Sequence, residues 1–200
     1  MKVIAFDLGN VIFGFDYMIA LKKIEGLINV SSSQLLKRLL ENRFGLNFEK
    51  GLITPEEFFK DFKDEFQIEI TYQEFVDIWC EIFFPHPEVI ELVKKLKVKY
   101  RLFLISNINK LHFEYLEGKF PEVFALFSEL VLSFQEKAIK PEEKIYQALK
   151  ERAKVDFKDI IYIDDRADLI TAATALGLIS IKFENYPQLI SDLKEIGINC

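Results

Sequence analysis

Cysteine, histidine and long apolar runs are scarce in this sequence, which contains two cysteines and two histidines. Cys80 and Cys200 are too few and too scattered for a disulfide framework or a zinc site, so we expect free thiols. We interpret His86 and His112 as structural hydrogen-bonding residues. No run approaches the roughly 18 apolar residues of a membrane helix, and Asp7 interrupts the short apolar run at the N-terminus. These absences predict a cytoplasmic protein without a membrane partner.

The sequence also lacks an excess of basic residues. Its 26 Lys and Arg are outnumbered by 32 Asp and Glu, which gives a net charge of −6, and no Lys/Arg cluster stands out. This balance argues against nucleic acid as a partner. Apolar residues make up 50% of the chain and aromatic residues 14%, enough for a substantial core. The length suits one α/β domain with a modest insertion, and nothing in the sequence indicates the oligomeric state.

Short apolar segments that break into polar turns predict buried parallel strands. These segments are residues 3–6, 102–105, 160–163 and 178–181, with a shorter candidate at 130–132. Helical patterns separate the later strands, over residues 141–152, 166–176 and 186–196. Strands that alternate with helices form βαβ units. The predicted fold class is therefore α/β, with a Rossmann-like, mainly parallel sheet flanked by helices.

Residues 16–98 differ from the rest because they carry helix signals and almost no strand signals. Thr54 and Thr71 each open a capping box, which predicts a helix start at both positions. We therefore predict an inserted α-helical cap domain over residues 16–98. The core domain would consist of residues 1–15 and 99–200. The last helix of the insertion is a candidate for packing on the core instead.

Polar side chains stand where the predicted strands end, and a lysine precedes one of the helices. They are Asp7 after the first strand, Ser106 and Asn107 after the second, Lys140 before the helix at 141–152, and Asp164 and Asp165 after a later strand. Each alone is more commonly a cap or a turn former. The carboxyl ends of parallel strands meet at one edge of a sheet, so we expect these groups to converge. Together they suit phosphoryl transfer with Mg²⁺, which prefers oxygen ligands.

In their order along the chain, these residues resemble the four motifs of the haloacid dehalogenase superfamily. The motifs correspond to residues 6–11, 104–107, 140–141 and 163–165. Residues 48–54, Trp79 and residues 85–88 also resemble the helical cap of one subgroup. That subgroup includes bacterial sugar-phosphate phosphatases such as the α-D-glucose-1-phosphate phosphatase.

The resemblance implies a role for each of the polar residues. Asp7 would be the nucleophile that forms an aspartyl-phosphate, with Lys140 as the second catalytic residue. The implied substrate-binding residues are Ser106, Asn107 and Lys140. The implied ligands of Mg²⁺ are Asp7, Gly9 through its backbone carbonyl, Asp164 and Asp165. The implied activity is that of a Mg²⁺-dependent phosphatase for a small phosphorylated metabolite, with sugar phosphates among the candidates.

Two positions depart from the family pattern. Most phosphatases of this family have a second aspartate two residues after the nucleophile, where this sequence has Gly9. The missing general acid–base catalysis is typically worth about 10²–10⁴-fold in rate. Asp16 is the nearest downstream carboxylate that could replace it, although a helix-start role fits Asp16 better. Leu169 stands where relatives often have an asparagine that steadies the acidic loop, and Asp168 is a candidate to compensate.

Three other functions stay open at this point. A metal-independent 2-haloacid dehalogenase uses the same aspartate to attack carbon, but the pair of Asp164 and Asp165 does not suit an anionic substrate without a cation. A catalytically weak binding protein of this family finds support only in Gly9 and Leu169. A phosphosugar mutase normally needs the second aspartate, so Gly9 counts against it.

Overall fold

The computed structural model describes residues 2–28, 30–41 and 44–199. None of the helices within these ranges is both long and apolar enough to cross a membrane. Cys80 is a buried free cysteine, whereas Cys200 lies outside the described residues.

The described part of the chain contains seven strands and twelve helices. The strands are β1 (Val3–Phe6), β2 (Phe13–Phe15), β3 (Phe83–Pro85), β4 (Arg101–Ser106), β5 (Glu129–Leu132), β6 (Ile160–Asp164) and β7 (Ile179–Lys182). The helices are α1 (Tyr17–Glu25), α2 (Ser32–Glu41), α3 (Phe44–Glu49), α4 (Pro55–Phe66), α5 (Tyr72–Cys80), α6 (Pro87–Lys97), α7 (Lys110–Lys119), α8 (Pro121–Phe124), α9 (Ser133–Glu136), α10 (Glu143–Ala153), α11 (Ala167–Ala175) and α12 (Tyr186–Glu195).

A parallel sheet of five strands, counted over the described ranges, has the order β5-β4-β1-β6-β7. In its centre, Phe6 of β1 pairs with Leu104 of β4 on one side and with Ile163 of β6 on the other. Every residue of β1 is buried, which explains its continuous apolar sequence. Because these strands are parallel, the loops that follow β1, β4 and β6 lie at the same edge. The predicted α/β class and mainly parallel sheet are confirmed.

Helices cover both faces of this sheet, because alternate strand residues point to opposite sides. Ile4 and Phe6 belong to one apolar cluster with residues of α6, α7, α8 and α12. Val3 and Ala5 belong to another cluster with residues of α10 and α11. This layering is the Rossmann-like arrangement that the sequence predicts.

The short strands β2 and β3 form an antiparallel ribbon at the two ends of the helical insertion. Phe13 lies opposite Pro85, and Phe15 lies opposite Phe83. The sequence predicts neither strand, because runs of three residues carry no periodic signal. Helix α6 falls in the predicted cap range but shares the apolar cluster of the sheet. The division into core and cap domains stays a prediction.

Helices α1 to α5, which lie between β2 and β3 in the sequence, build most of a further apolar cluster, to which Leu111 of α7 also belongs. Both predicted capping boxes are present, with Thr54 capping α4 and Thr71 capping α5. Aromatic rings fill the interior of the cluster. For example, Phe58 stacks on Phe48 with ring centroids 4.3 Å apart. The aromatic residues of this cluster therefore serve packing.

Candidate active site

The buried ammonium group of Lys140 joins two of the predicted acidic residues. Its Nζ lies 2.7 Å from Oδ1 of Asp7 and 2.6 Å from Oδ2 of Asp164, and it donates to the carbonyl of Ile105 at 3.2 Å. The side chains of Lys140 and Asp164 are 1% and 0% exposed. Buried charges are tolerated only where opposite charges and hydrogen bonds replace their hydration. These three charged side chains therefore form one unit at the carboxyl edge of the sheet.

Asn107 fixes the main chain of Lys140. Its Oδ1 accepts from the backbone N–H of Lys140 at 2.7 Å, and its Nδ2 donates to the carbonyl of Lys140 at 3.0 Å. The peptide bond between Lys140 and Pro141 is cis. Helix α10 begins at Glu143, slightly later than the sequence pattern predicts. Asn107 thus positions the lysine that contacts both carboxylates.

Asp164 accepts hydrogen bonds at both of its oxygens. Oδ2 accepts from Lys140 and from the hydroxyl of Tyr162, and Oδ1 accepts from the backbone N–H of Arg166 at 2.9 Å. Burial and the charge of Asp164 hold the pKa of Tyr162 well above its ordinary value. The tyrosine therefore remains a hydrogen-bond donor to the carboxylate.

Leu169 offers the acidic loop no polar side chain, and the role of Asp168 in steadying that loop stays a prediction. Leu169 is buried and borders the site. Asp168 instead forms an exposed ion pair with the guanidinium of Arg166, at 2.7 Å. Within the loop itself, Asp164 accepts from Tyr162 and from the main chain of Arg166.

Asp165 brings a third carboxylate to this edge, where Nδ2 of Asn10 donates to its Oδ2 at 3.0 Å. One carboxylate oxygen from each of Asp7, Asp164 and Asp165 lies within 4.8 Å of the other two. Three carboxylates against the ammonium of Lys140 leave an excess of two negative charges, which one divalent cation would balance. An oxygen-only donor set of this kind suits Mg²⁺. These residues therefore fit the metal that the sequence predicts.

Burial is the main cause of the raised pKa values of the acidic residues at this site. Burial raises the pKa of Asp7 from 3.8 to about 7, although the ammonium of Lys140 lowers it. Burial also raises the pKa of Asp165. Burial disfavours the charged form of Lys140, yet Asp7 and Asp164 outweigh this effect and hold the pKa of Lys140 above its ordinary value. Lys140 therefore stays charged. Additional positive charge near Asp7 would favour the ionised form of its carboxyl group.

A cavity of about 140 Å³ opens beside these groups. This volume is roughly that of four to five water molecules in the liquid. A cavity of this size suits a phosphoryl group with a small substituent. The lining residues are Asp7, Gly9, Asn10, Phe15, Glu49, Asn107, Lys140, Asp165, Arg166 and Leu169. Five of the seven residues predicted from the sequence are among them. The other two, Ser106 and Asp164, are buried beside it at the ends of β4 and β6.

The ring of Phe15 fills the space in front of Gly9. A Cβ at Gly9 would stand 2.9 Å from Cε1 of Phe15, a distance that requires the ring to shift. Asp16 does not replace the missing acid, because its Oδ1 accepts from the backbone N–H of Met18 at 2.8 Å and caps α1. The interpretation of Asp16 as a helix-start residue is confirmed.

Glu49 borders the cavity although no motif of the sequence analysis assigns it a role. It is the last residue of α3 and therefore comes from the helical insertion. Its backbone carbonyl accepts from the hydroxyl of buried Ser133 at 2.6 Å. The only sequence signal was its place in the cap resemblance at residues 48–54, which carries no pattern of catalytic residues.

Both histidines make structural hydrogen bonds, as predicted. Nε2 of buried His112 lies 3.1 Å from the carbonyl of Trp79, and its Nδ1 lies 3.0 Å from Nδ2 of Asn109. The carbonyl can only accept, so Nε2 carries the proton of the neutral ring. Burial lowers the pKa of His112 from 6.5 to about 4. Nδ1 of His86 lies 3.1 Å from the carbonyl of Val11.

Solved structures similar to this chain are enzymes of the haloacid dehalogenase (HAD) family. One from Bacteroides thetaiotaomicron, in complex with magnesium and inorganic phosphate, is 28% identical, with 94% of this chain and 98% of that chain covered and a TM-score of 0.83. A HAD-like family hydrolase from Porphyromonas gingivalis is 23% identical, with 97% and 98% covered and a TM-score of 0.82. The L-2-haloacid dehalogenase of Xanthobacter autotrophicus is 13% identical, with 100% and 85% covered and a TM-score of 0.65. The last two likenesses show a shared fold alone.

A longer fungal protein also aligns with this chain. The drimenol cyclase of Aspergillus calidoustus is 23% identical over 207 residues. The alignment includes 98% of this chain but 36% of the cyclase, so this chain spans about a third of the length of that relative. The cyclase activity is a property of that protein.

The family model for haloacid dehalogenase-like hydrolases matches residues 1–177. The matched range contains all four motifs and the helical insertion between the first and the second. The active-site geometry, the parallel sheet and the similar structures agree with this match. The chain therefore belongs to the haloacid dehalogenase-like hydrolase family.

Proposed function

We propose that this hydrolase is a Mg²⁺-dependent phosphatase that cleaves a small phosphate monoester through an aspartyl-phosphate on Asp7. The observation that carries the proposal is the contact of Lys140 with both Asp7 and Asp164, at 2.7 Å and 2.6 Å, beside the cavity. The similar enzyme from Bacteroides thetaiotaomicron binds magnesium and inorganic phosphate. Both ligands are ones that the proposed reaction requires.

In the proposed mechanism, the ionised carboxylate of Asp7 attacks phosphorus and displaces the alcohol part of the ester. Lys140 holds the attacking carboxylate in place and offsets negative charge on the phosphoryl oxygens. Asn107 maintains the position of Lys140 through the two hydrogen bonds to its main chain. We assign to the hydroxyl of Ser106 a hydrogen bond to the phosphoryl group. Water then hydrolyses the aspartyl-phosphate and restores Asp7.

The metal would be held by the carboxylates of Asp7, Asp164 and Asp165 and by the backbone carbonyl of Gly9. A cation bound there supplies positive charge that keeps Asp7 ionised and offsets the charge of the phosphoryl oxygens. This need is consistent with the pKa of Asp7, which burial raises. The partner of the enzyme would then be a small phosphorylated metabolite, with a sugar phosphate as one candidate.

A 2-haloacid dehalogenase is the strongest competing function, since such an enzyme shares the fold. Its substrate carries a carboxylate, which three converging acidic side chains would repel in the absence of a cation. A phosphate monoester brings even more negative charge, but its hydrolysis by this family includes the metal that balances it. The acidic cluster thus favours the phosphatase.

A screen of phosphate release tests the proposed function. The purified protein is incubated with a panel of small sugar, alkyl and aryl phosphates, with Mg²⁺ and then with an excess of chelator. We expect release of inorganic phosphate with Mg²⁺ and loss of this activity with chelator. A parallel panel of 2-haloacids reports halide release. Halide release that is indifferent to the chelator, without phosphate release, would establish the dehalogenase instead.

A further inference from the structure

We propose that the carboxyl group of Glu49 donates a proton to the leaving group, in place of the family acid that is missing at Gly9. The proposal rests on the proposed phosphatase function. It assigns a catalytic role to a residue of the helical insertion that lies outside all four motifs.

Glu49 is the one cavity-lining carboxyl residue whose side chain is not engaged elsewhere. Among the other acids of the lining, Asp7 contacts Lys140 and Asp165 accepts from Asn10. Within residues 2–28, 30–41 and 44–199, the Glu49 carboxyl has no hydrogen bond or ion pair. A carboxyl group that borders a catalytic cavity without a partner is available to a substrate.

The main chain around Glu49 is fixed to the core. The hydroxyl of Ser133 lies 2.6 Å from the carbonyl of Glu49, and it also accepts from the backbone N–H of Ile108 at 2.9 Å. Lys50 forms an ion pair with Glu142, and Lys137 donates to the carbonyl of Gly51. Three successive residues of the insertion are therefore tied to the loops that carry Asn107 and Lys140. The side chain of Glu49 is thus carried by an anchored turn.

Burial makes the carboxyl group of Glu49 a weaker acid than an exposed glutamate. Burial raises the pKa of Glu49, and the positive charges of Arg166 and Lys140 oppose this effect only in part. Burial and the charge of Glu49 raise the pKa of nearby Tyr17 above its ordinary value, so Glu49 is the more acidic of the two groups. A general acid works best when its pKa approaches the pH at which it operates.

Glu49 gives up one proton in the first step of the proposed reaction and regains one in the second. In the first step, a bond forms between Asp7 and phosphorus, the ester P–O bond breaks, and the departing oxygen takes the proton of the Glu49 carboxyl. In the second step, the Glu49 carboxylate takes a proton from the water that attacks the aspartyl-phosphate. Inorganic phosphate leaves, and both side chains return to their starting forms.

The dependence of rate on the leaving group tests this assignment. Wild type, Glu49→Gln and Glu49→Asp are compared on a series of aryl and alkyl phosphates whose alcohols differ in pKa. Glu49→Gln keeps the size of the side chain but removes the transferable proton. We expect kcat/KM for alkyl phosphates to fall by about 10²-fold or more, with a loss below about threefold for the most activated aryl phosphates. Glu49→Asp should give an intermediate slope.

The matched control is Glu56→Gln, which removes one negative charge from an exposed position of the same insertion. It should leave the leaving-group slope of the wild type unchanged. Equal losses of Glu49→Gln on aryl and alkyl phosphates, or a change in KM alone, would overturn the assignment while leaving the phosphatase intact. If Glu49→Gln does not fold, Glu49→Asp provides the test. A leaving-group slope equal to that of the wild type would then overturn the assignment. A wild type that releases no phosphate from any ester would overturn the phosphatase and this proposal together.

Discussion

The ring of Phe15 occupies the position that a side chain at Gly9 would need, with Cε1 of Phe15 at 2.9 Å from where a Cβ of Gly9 would stand. Phe15 is itself held by aromatic neighbours, Tyr17 at 5.5 Å and Phe83 at 6.0 Å between ring centroids. Most phosphatases of the family have an aspartate at the position of Gly9. In this chain, the ring of Phe15 fills the space that such a side chain would need. An aspartate side chain introduced at position 9 would clash with that ring.

The first prediction concerns this pair. Gly9→Asp alone should lower the free energy of unfolding by roughly 1–3 kcal/mol, because Phe15 has to move out of its aromatic contacts. Phe15→Ala in the same molecule provides the space, so the double variant should lose about 1 kcal/mol less than the sum of the two single losses. Urea unfolding of the wild type, the two single variants and the double variant measures these losses. Strictly additive losses would show that Phe15 does not restrict position 9.

The second prediction concerns metal binding at the acidic cluster. Added Mg²⁺ should raise the melting temperature of the wild type, since a ligand that binds the folded state at about 100 times its Kd stabilises it by about 2.7 kcal/mol. Asp164→Asn keeps the shape of the side chain but removes the charge, and should abolish most of this effect. The control is Asp168→Asn, on the exposed ion pair with Arg166. Equal Mg²⁺ effects in the wild type and in both variants would remove Asp164 from the metal site.

The third prediction concerns the turn that anchors Glu49. Gly51 has a φ of +62°, and a Cβ there would lie 2.3 Å from the carbonyl oxygen of Phe134. Gly51→Ala should therefore destabilise the protein by at least about 2 kcal/mol, through both the left-handed backbone and the clash with the main chain. Gly118→Ala is the matched control, because nothing lies within 4 Å of its Cβ position in helix α7. That variant should be neutral or slightly more stable. Similar effects of the two substitutions would contradict the close approach at Gly51.

The fourth prediction concerns pH and His112. The folded pKa of about 4 lies below the unfolded value of 6.5, so between these pH values the unfolded chain binds the proton and the folded chain does not. The free energy of unfolding should fall as the pH drops from 6.5 towards 4, with a contribution from His112 of roughly 3 kcal/mol. In His112→Gln, the acid-side loss should be smaller by about this amount. Parallel stability curves for wild type and variant would show that His112 does not titrate in this way.

Much of the fold can be predicted from the sequence because its signals are local. Residues 3–6 form a buried apolar run, and the structure has β1 at Val3–Phe6. The capping boxes at Thr54 and Thr71 fix two helix starts through side chains only three residues apart. The ribbon of β2 and β3 could not be predicted, since it depends on the pairing of segments about 70 residues apart, such as Phe15 with Phe83.

The sequence likewise predicts some residues of the candidate site and not others. The sequence predicts that Asp7, Lys140 and Asp164 converge, because parallel strands bring their carboxyl ends to one edge, and the structure joins them. Glu49 and Phe15 could not be predicted as cavity residues. Their positions depend on how the helical insertion and the ribbon pack against the core, and neither residue type at these positions signals a chemical role.

The proposed nucleophile provides the most direct test of the account. Phosphate release from the best substrate of the screen is measured with Mg²⁺ for the wild type and for Asp7→Asn, after both have been shown to unfold cooperatively. The amide is nearly the same size as the carboxylate but is a poor nucleophile and a weak ligand of Mg²⁺. We predict that Asp7→Asn has no measurable activity and that the acid-quenched wild type carries a phosphoryl group on the peptide containing Asp7. A folded Asp7→Asn variant that retains more than about a tenth of the wild-type rate would contradict the central claim.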